Sequence, residues 1–265
     1  MKKIIDRKKF GPWAIITGAS SGIGKEFARQ LAKDGLNVVL VARRISLLED
    51  IGRQLAKESG IQYRIIEADL EQESAIEKIT KATDDLDVGL LISNAGTGKV
   101  SKFLSLELEE IKSVNQLNAM SHLSLTHYFG RKFLKRGKGG VLLSGAMGAT
   151  DGVPYMASMA GSKSLVLSLG KSLHHEFKKT GIHITVLEIS PTDTAIIPKL
   201  GFEKDKMPMK PLPVKQCVEE ALAALVANRV SIMPGRMYRI MNALVPGPVK
   251  RNMAGNLFKK NNRID

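Results

Sequence analysis

Short apolar runs alternate along the chain with longer stretches in which apolar residues recur at helical spacing. Trp13–Thr17 reads as a buried strand, and 22–34 follows as a helix through Ile23, Phe27, Ala28 and Leu31. Asn37–Ala42 (strand), Ile45–Ser59 (helix), 63–68 (strand), 73–83 (helix) and 89–93 (strand) continue the pattern. Beyond them, 106–133 is helical, 141–144 a strand, 157–178 helical and 183–188 a strand. Prolines 191, 198, 208, 211 and 213 then break the pattern before 214–228 resumes helical spacing. Strands that alternate with helices predict an α/β fold: a doubly wound, Rossmann-like parallel sheet with helices on both faces, in one domain. The proline-rich stretch reads as a lid or binding loop.

Charge divides the chain differently. Forty Lys and Arg stand against 26 Asp and Glu, for a net charge of +14. Residues 1–10 carry five basic side chains against Asp6, and 236–265 carry seven against Asp265. The organisation expected is a basic N-terminal arm (1–10), a nearly neutral domain (11–235) and a basic C-terminal extension (236–265). The neutral body, 5% aromatic content and absence of a recognition helix argue against nucleic acid as a partner. No apolar run reaches the ~18 residues of a membrane span, and the N-terminus lacks the apolar core of a secretory signal. A single cysteine, Cys217, excludes an intramolecular disulfide and a CxxC metal site, and suits a reducing, cytoplasmic setting.

The candidate chemistry starts at Thr17-Gly18-Ala19-Ser20-Ser21-Gly22-Ile23-Gly24, between the first strand and the first helix. Glycines there allow a tight turn and let backbone N–H groups approach a pyrophosphate at the helix N-terminus. At the end of the second strand stand Arg43 and Arg44, with no carboxylate to hold ribose hydroxyls. Arginine there suits the 2′-phosphate of NADP, and NAD is the less favoured cofactor.

With three residues between its first two glycines, this turn resembles the TGxxxGIG element of the short-chain dehydrogenases/reductases, over roughly residues 11–230. The resemblance implies roles for further positions. Asp69 and Leu70 would meet the adenine, and Asn94, Ala95 and Gly96 would pack beside the cofactor. Asn118 would hold a water of the proton relay, and Lys163 would be the active-site lysine. Thr192 and Thr194 would meet the nicotinamide amide. It also implies a carbonyl or alcohol substrate and a homodimer or homotetramer built through the two long helices.

In that family a tyrosine four residues before the lysine transfers the proton, and a serine about thirteen residues earlier orients the substrate oxygen. Here those positions are Met159 and Ala146. A thioether carries no proton to donate, and a methyl group makes no hydrogen bond. The expected protein is a member with a retained cofactor site and an impaired or lost tyrosine–lysine reaction, acting as a cofactor-responsive binding subunit. The alternative is an active NADPH-dependent carbonyl reductase with a substitute acid, Tyr155 foremost. Ser144 lies two residues before the expected serine and deeper in the sheet. Tyr128 and Lys132 spell YxxxK on the wrong helix.

No metal site is expected: His174 and His175 are adjacent, and His122 and His127 are five apart. Met207 and Met209 line an apolar pocket or fill the loop, and Cys217 belongs to the core. The C-terminal extension intersperses Met237, Ile240, Met241, Leu244 and Val245, later Met253, Leu257 and Phe258, with basic residues. It either docks on the domain, interrupted by Pro246 and Pro248, or lies on an anionic membrane surface.

Overall fold

The computed structural model describes residues 3–264. Stretches rich in Val, Ile and Leu form β1 (Trp13–Thr17), β2 (Asn37–Ala42), β3 (Tyr63–Glu67), β4 (Val88–Ser93), β5 (Gly139–Ala146), β6 (Ile182–Ile189) and β7 (Ser231–Ile232). They pair in parallel in the order 3-2-1-4-5-6-7, so the order reverses between β1 and β4. The connecting helices are α1 (Arg7–Phe10), α2 (Gly22–Lys33), α3 (Ile45–Ser59), α4 (Ser74–Lys81), α5 (Leu108–Asn115), α6 (Ser121–Arg136), α7 (Ala157–Glu176), α8 (Ile196–Lys199) and α9 (Val214–Val226). Two more, α10 (Arg236–Leu244) and α11 (Gly247–Asn262), follow β7.

Both sheet faces are covered, which is why the strands read as continuous apolar runs. Alternate side chains of β1 point to opposite cores. Ala14 and Ile16 pack with Phe27 and Leu31 of α2, Leu48 of α3 and Leu222 of α9. Ile15 packs with Ile79 of α4, Phe129 and Phe133 of α6, and Val166 of α7. Each fully buried Val, Leu, Ile or Phe among them stabilises the fold by roughly 1.5–3 kcal/mol.

The largest departures from the sequence expectations lie outside this frame. The stretch expected as one helix over 106–133 divides into α5 and α6 around a π-turn at Gln116–Met120, which carries Asn118. The N-terminal arm is anchored: Ile5 and Phe10 are buried in the core, and the Ile4 and Ile5 N–H groups donate to Asp34 Oδ2 at 3.1 and 2.8 Å. In the C-terminal extension the expected interruption falls at Val245 and Pro246, between α10 and α11, and the prolines also open the second helix. They occupy the cap and first turn of α11, where a missing N–H has no helical partner to lose.

Candidate functional site

The glycine turn leaves the C-terminal end of β1 and opens α2, at the gap where strand order reverses. Open parallel sheets bind ligands at such a switch point. Gly18 and Gly22 take positive φ, +69° and +53°, which bends the chain sharply enough to aim the first α2 amides outward. At Gly24 a Cβ would collide with the Gly18 carbonyl, so turn and helix fit together only with hydrogen there. Ser20 and Ser21 stand on the turn, and Ile23 tucks against the α2 side of the core.

The two arginines separate. Arg44 lies over the turn, donating from Nη2 to Ser20 Oγ at 2.9 Å and Ser21 Oγ at 3.2 Å. Arg43 turns toward β3, donating to Glu71 Oε1 at 2.9 Å with Asp69 Oδ1 3.8 Å away. Glu71, which sequence reasoning passed over, therefore takes one of the two charges. Leu70 is buried beneath them.

Across the gap, the Asn94 and Ala95 N–H groups both donate to Thr17 Oγ1, at 2.9 and 3.0 Å, tying β4 to β1. Asn118 makes a two-point bond with the Thr97 backbone, its Oδ1 accepting and its Nδ2 donating at 2.8 Å each. Gly96 lets Asn118 and Lys163 come together: a Cβ there would stand 3.1 Å from Asn118 Oδ1 and 3.2 Å from Lys163 Nζ.

Lys163, on α7, is buried and donates to the Ser144 carbonyl at 2.8 Å. Burial lowers its pKa from 10.5 to about 7. His122 Nε2 lies 3.3 Å from Lys163 Nζ and 3.0 Å from the Ala95 carbonyl oxygen. Burial, and then the Lys163 charge, hold this imidazole well below its ordinary pKa, so it is neutral. Its place was legible in one respect: it follows Asn118 by four residues, the spacing that puts two side chains on one helix face.

Met159 stands one turn before Lys163 on α7 and faces Gly98, where Met156 and Leu200 also converge. Ala146 ends β5, half-buried. Ser144 is fully buried, its hydroxyl donating to Asn94 Oδ1 at 3.2 Å, too deep to meet a ligand in the cleft. Tyr155 precedes α7 at φ +64° and lines a recess of about 20 Å³ with Phe103, Glu110 and Met159. Its carbonyl accepts from the Ser101 N–H at 2.8 Å. Tyr128 and Lys132 both bond Asp84 at the surface, Lys132 at 3.1 Å, far from the cleft.

Thr192 is buried, its hydroxyl donating to the Ser190 carbonyl at 2.8 Å, and Thr194 packs its methyl group toward Gly22. Cys217 is buried in the core, and burial pushes its thiol up to about 12. A groove of about 790 Å³ lies at the opposite end of the sheet, between the N-terminal arm and Arg136, away from where these side chains converge.

The family model described as short chain dehydrogenase matches residues 12–204. The 7beta-hydroxysteroid dehydrogenase of Clostridium sardiniense is 28% identical over 188 residues, covering 71% of this chain and 72% of that protein. The very-long-chain 3-oxoacyl-CoA reductase of Neurospora crassa is 33% identical over 233 residues, covering 85% of this chain and 68% of that one. A short-chain dehydrogenase from Sphingobium yanoikuyae, solved in complex with NADPH, aligns with a TM-score of 0.81 at 27% identity, over 88% of this chain and 92% of its own.

Proposed function

Because the chain belongs to the short-chain dehydrogenase family, we propose that it is an NADP(H)-binding member whose tyrosine–lysine proton transfer is lost. The observation that carries this reading is the pairing of an intact glycine turn with a methionine one turn before the buried Lys163. The residues fit the dinucleotide. The α2 amides suit a pyrophosphate, and Arg44, held over the turn by Ser20 and Ser21, suits a 2′-phosphate. Asp69 and Leu70 would border the adenine, and Asn94, Ala95 and Gly96 the middle of the cofactor. Lys163 would meet the ribose, and Thr192 and Thr194 the nicotinamide amide.

When bound, that group supplies hydride chemistry at a carbonyl or alcohol carbon. What this chain lacks is the proton partner, since neither Met159 nor Ala146 can hold a proton or a substrate oxygen. Loss of a positioned acid typically slows such a reaction about 10²–10⁴-fold. Met156, Met159 and Leu200 around Gly98 favour an apolar ligand, in keeping with the steroid and long-chain acyl names of the relatives. Exposed Met120, Leu134 and Leu165, on the π-turn, α6 and α7, support self-association through that face.

The test is turnover of NADPH with a panel of ketones, aldehydes and 3-ketoacyl thioesters. The parent should bind NADPH yet show no turnover, and Ala146→Ser with Met159→Tyr should gain reductase activity. Parent turnover that disappears on Tyr155→Phe would instead establish Tyr155 as a substitute acid.

A further inference from the structure

Exposed apolar side chains gather on two elements that flank one segment of the cleft. Leu104 is 94% exposed and Leu108 62%, both in the stretch that leads into α5. On α10, Met237, Ile240 and Leu244 recur at i, i+3, i+7, one helix face, with Leu244 76% exposed. On α11, Met253 is also exposed.

The segments beside both patches are fastened to residues 151–156. The Ser101 N–H donates to the Tyr155 carbonyl on one side. On the other, Arg251 Nε donates to the Asp151 carbonyl at 2.7 Å, and Gly255 of α11 lies against Pro154. α11 also reaches the segment after β6: Phe258 meets Phe202 edge-on at 5.1 Å, and Asn262 Nδ2 donates to the Leu200 carbonyl at 3.1 Å. It thus spans the two segments, after β5 and after β6, that bound the Met159 side of the cleft.

Charge decides what this face suits. Residues 221–264 contain eight Lys and Arg and no Asp or Glu. Arg239 and Lys250 are paired with Glu220 and Asp151. Lys259 and Lys260 stand exposed at the end of α11 without an acidic partner among the described residues. An apolar helix face bordered by cations matches segments that lie in the headgroup layer of an anionic bilayer. A second copy of this chain matches α10 and α11 poorly, because a two-fold contact would set one basic surface against another with no acidic residue on either helix.

We propose that α10 and α11 sit on an anionic phospholipid bilayer, with the Met159 side of the cleft opening toward the headgroups. The meaning of the cleft rests on the nucleotide-site reading, but bilayer binding does not. It is measured with no nucleotide present, so its failure is separable from a failure of NADPH binding.

The experiment is co-sedimentation of the full chain with phosphatidylcholine vesicles, with and without ~30% phosphatidylglycerol. Binding should be at least about tenfold stronger to the anionic vesicles and should weaken with added salt. Leu244→Asp with Met253→Asp should lower it about tenfold while the melting temperature and far-UV circular dichroism stay those of the parent. Lys259→Glu with Lys260→Glu, at fully surface positions, should do the same and serves if the first pair misfolds. Equal binding to neutral and anionic vesicles, or undiminished binding by the charge-reversed pair, overturns the proposal. So does a parent that stays in the supernatant. An apolar-pair variant that only turns an oligomer into a monomer, with vesicle binding unchanged, would assign the face to a second copy instead.

Discussion

Lys163 pays for its position in lost hydration: its ammonium reaches a buried space where one carbonyl, that of Ser144, accepts from it. Its folded pKa of about 7 lies below the ordinary 10.5. Between those values the unfolded chain binds a proton that the folded chain does not, so this group's contribution to stability rises with pH from about 7 to about 10.5 and is flat below. Lys163→Met should therefore raise the melting temperature over the parent most at about pH 6, with the gain shrinking by about pH 9. Thermal melts of both proteins across that range check it, and a pH-independent difference would contradict it. Single residues differed in how far the sequence exposed them. Met159 and Ala146 are reached by counting back from Lys163 along the motif spacing that the family resemblance implies. The Arg43–Glu71 pair and the contact of His122 with Lys163 depend on side chains from separate elements meeting in space, which no local spacing encodes.

At the scale of elements, the turn from β1 into α2 is held by steric fit as much as by hydrogen bonds. Gly24→Ala would drive a methyl group into the Gly18 carbonyl. Such overpacking should destabilise the protein by about 1–3 kcal/mol. Urea unfolding should show a lower midpoint at unchanged slope, and an unchanged midpoint would mean that turn and helix are not in close contact. Strands β1 and β2 and helix α3 were legible to the residue because apolar runs and punctuating glycines agree there. The π-turn at Gln116–Met120 was not legible, since its one extra residue leaves the apolar pattern of α5 and α6 intact. Strand β7, two residues long, carries too little pattern to read, and it exists because β6 offers it an open edge. Prolines 246 and 248 mark the break between α10 and α11, as the sequence indicates. Proline opposes helix only in its interior and favours the first turn.

Across the whole molecule, the doubly wound order of strands follows from an alternation visible in the sequence from Trp13 onward, and the family match over residues 12–204 lies within that frame. The basic ends were legible as charge but not as structure. Ile5 and Phe10 join the core, and α11 closes over the segments after β5 and β6. No helix among the described residues is long and apolar enough to cross a membrane. We propose that the fold retains a site for NADP(H) around Arg44 and Lys163 although the proton partner is gone. Isothermal titration of the full chain with NADPH and with NADH under identical conditions tests it most directly. NADPH should bind saturably, one per chain, at least about tenfold tighter than NADH, as expected of a charge-assisted phosphate contact. No heat of binding with NADPH, or equal affinity for the two nucleotides, would contradict it.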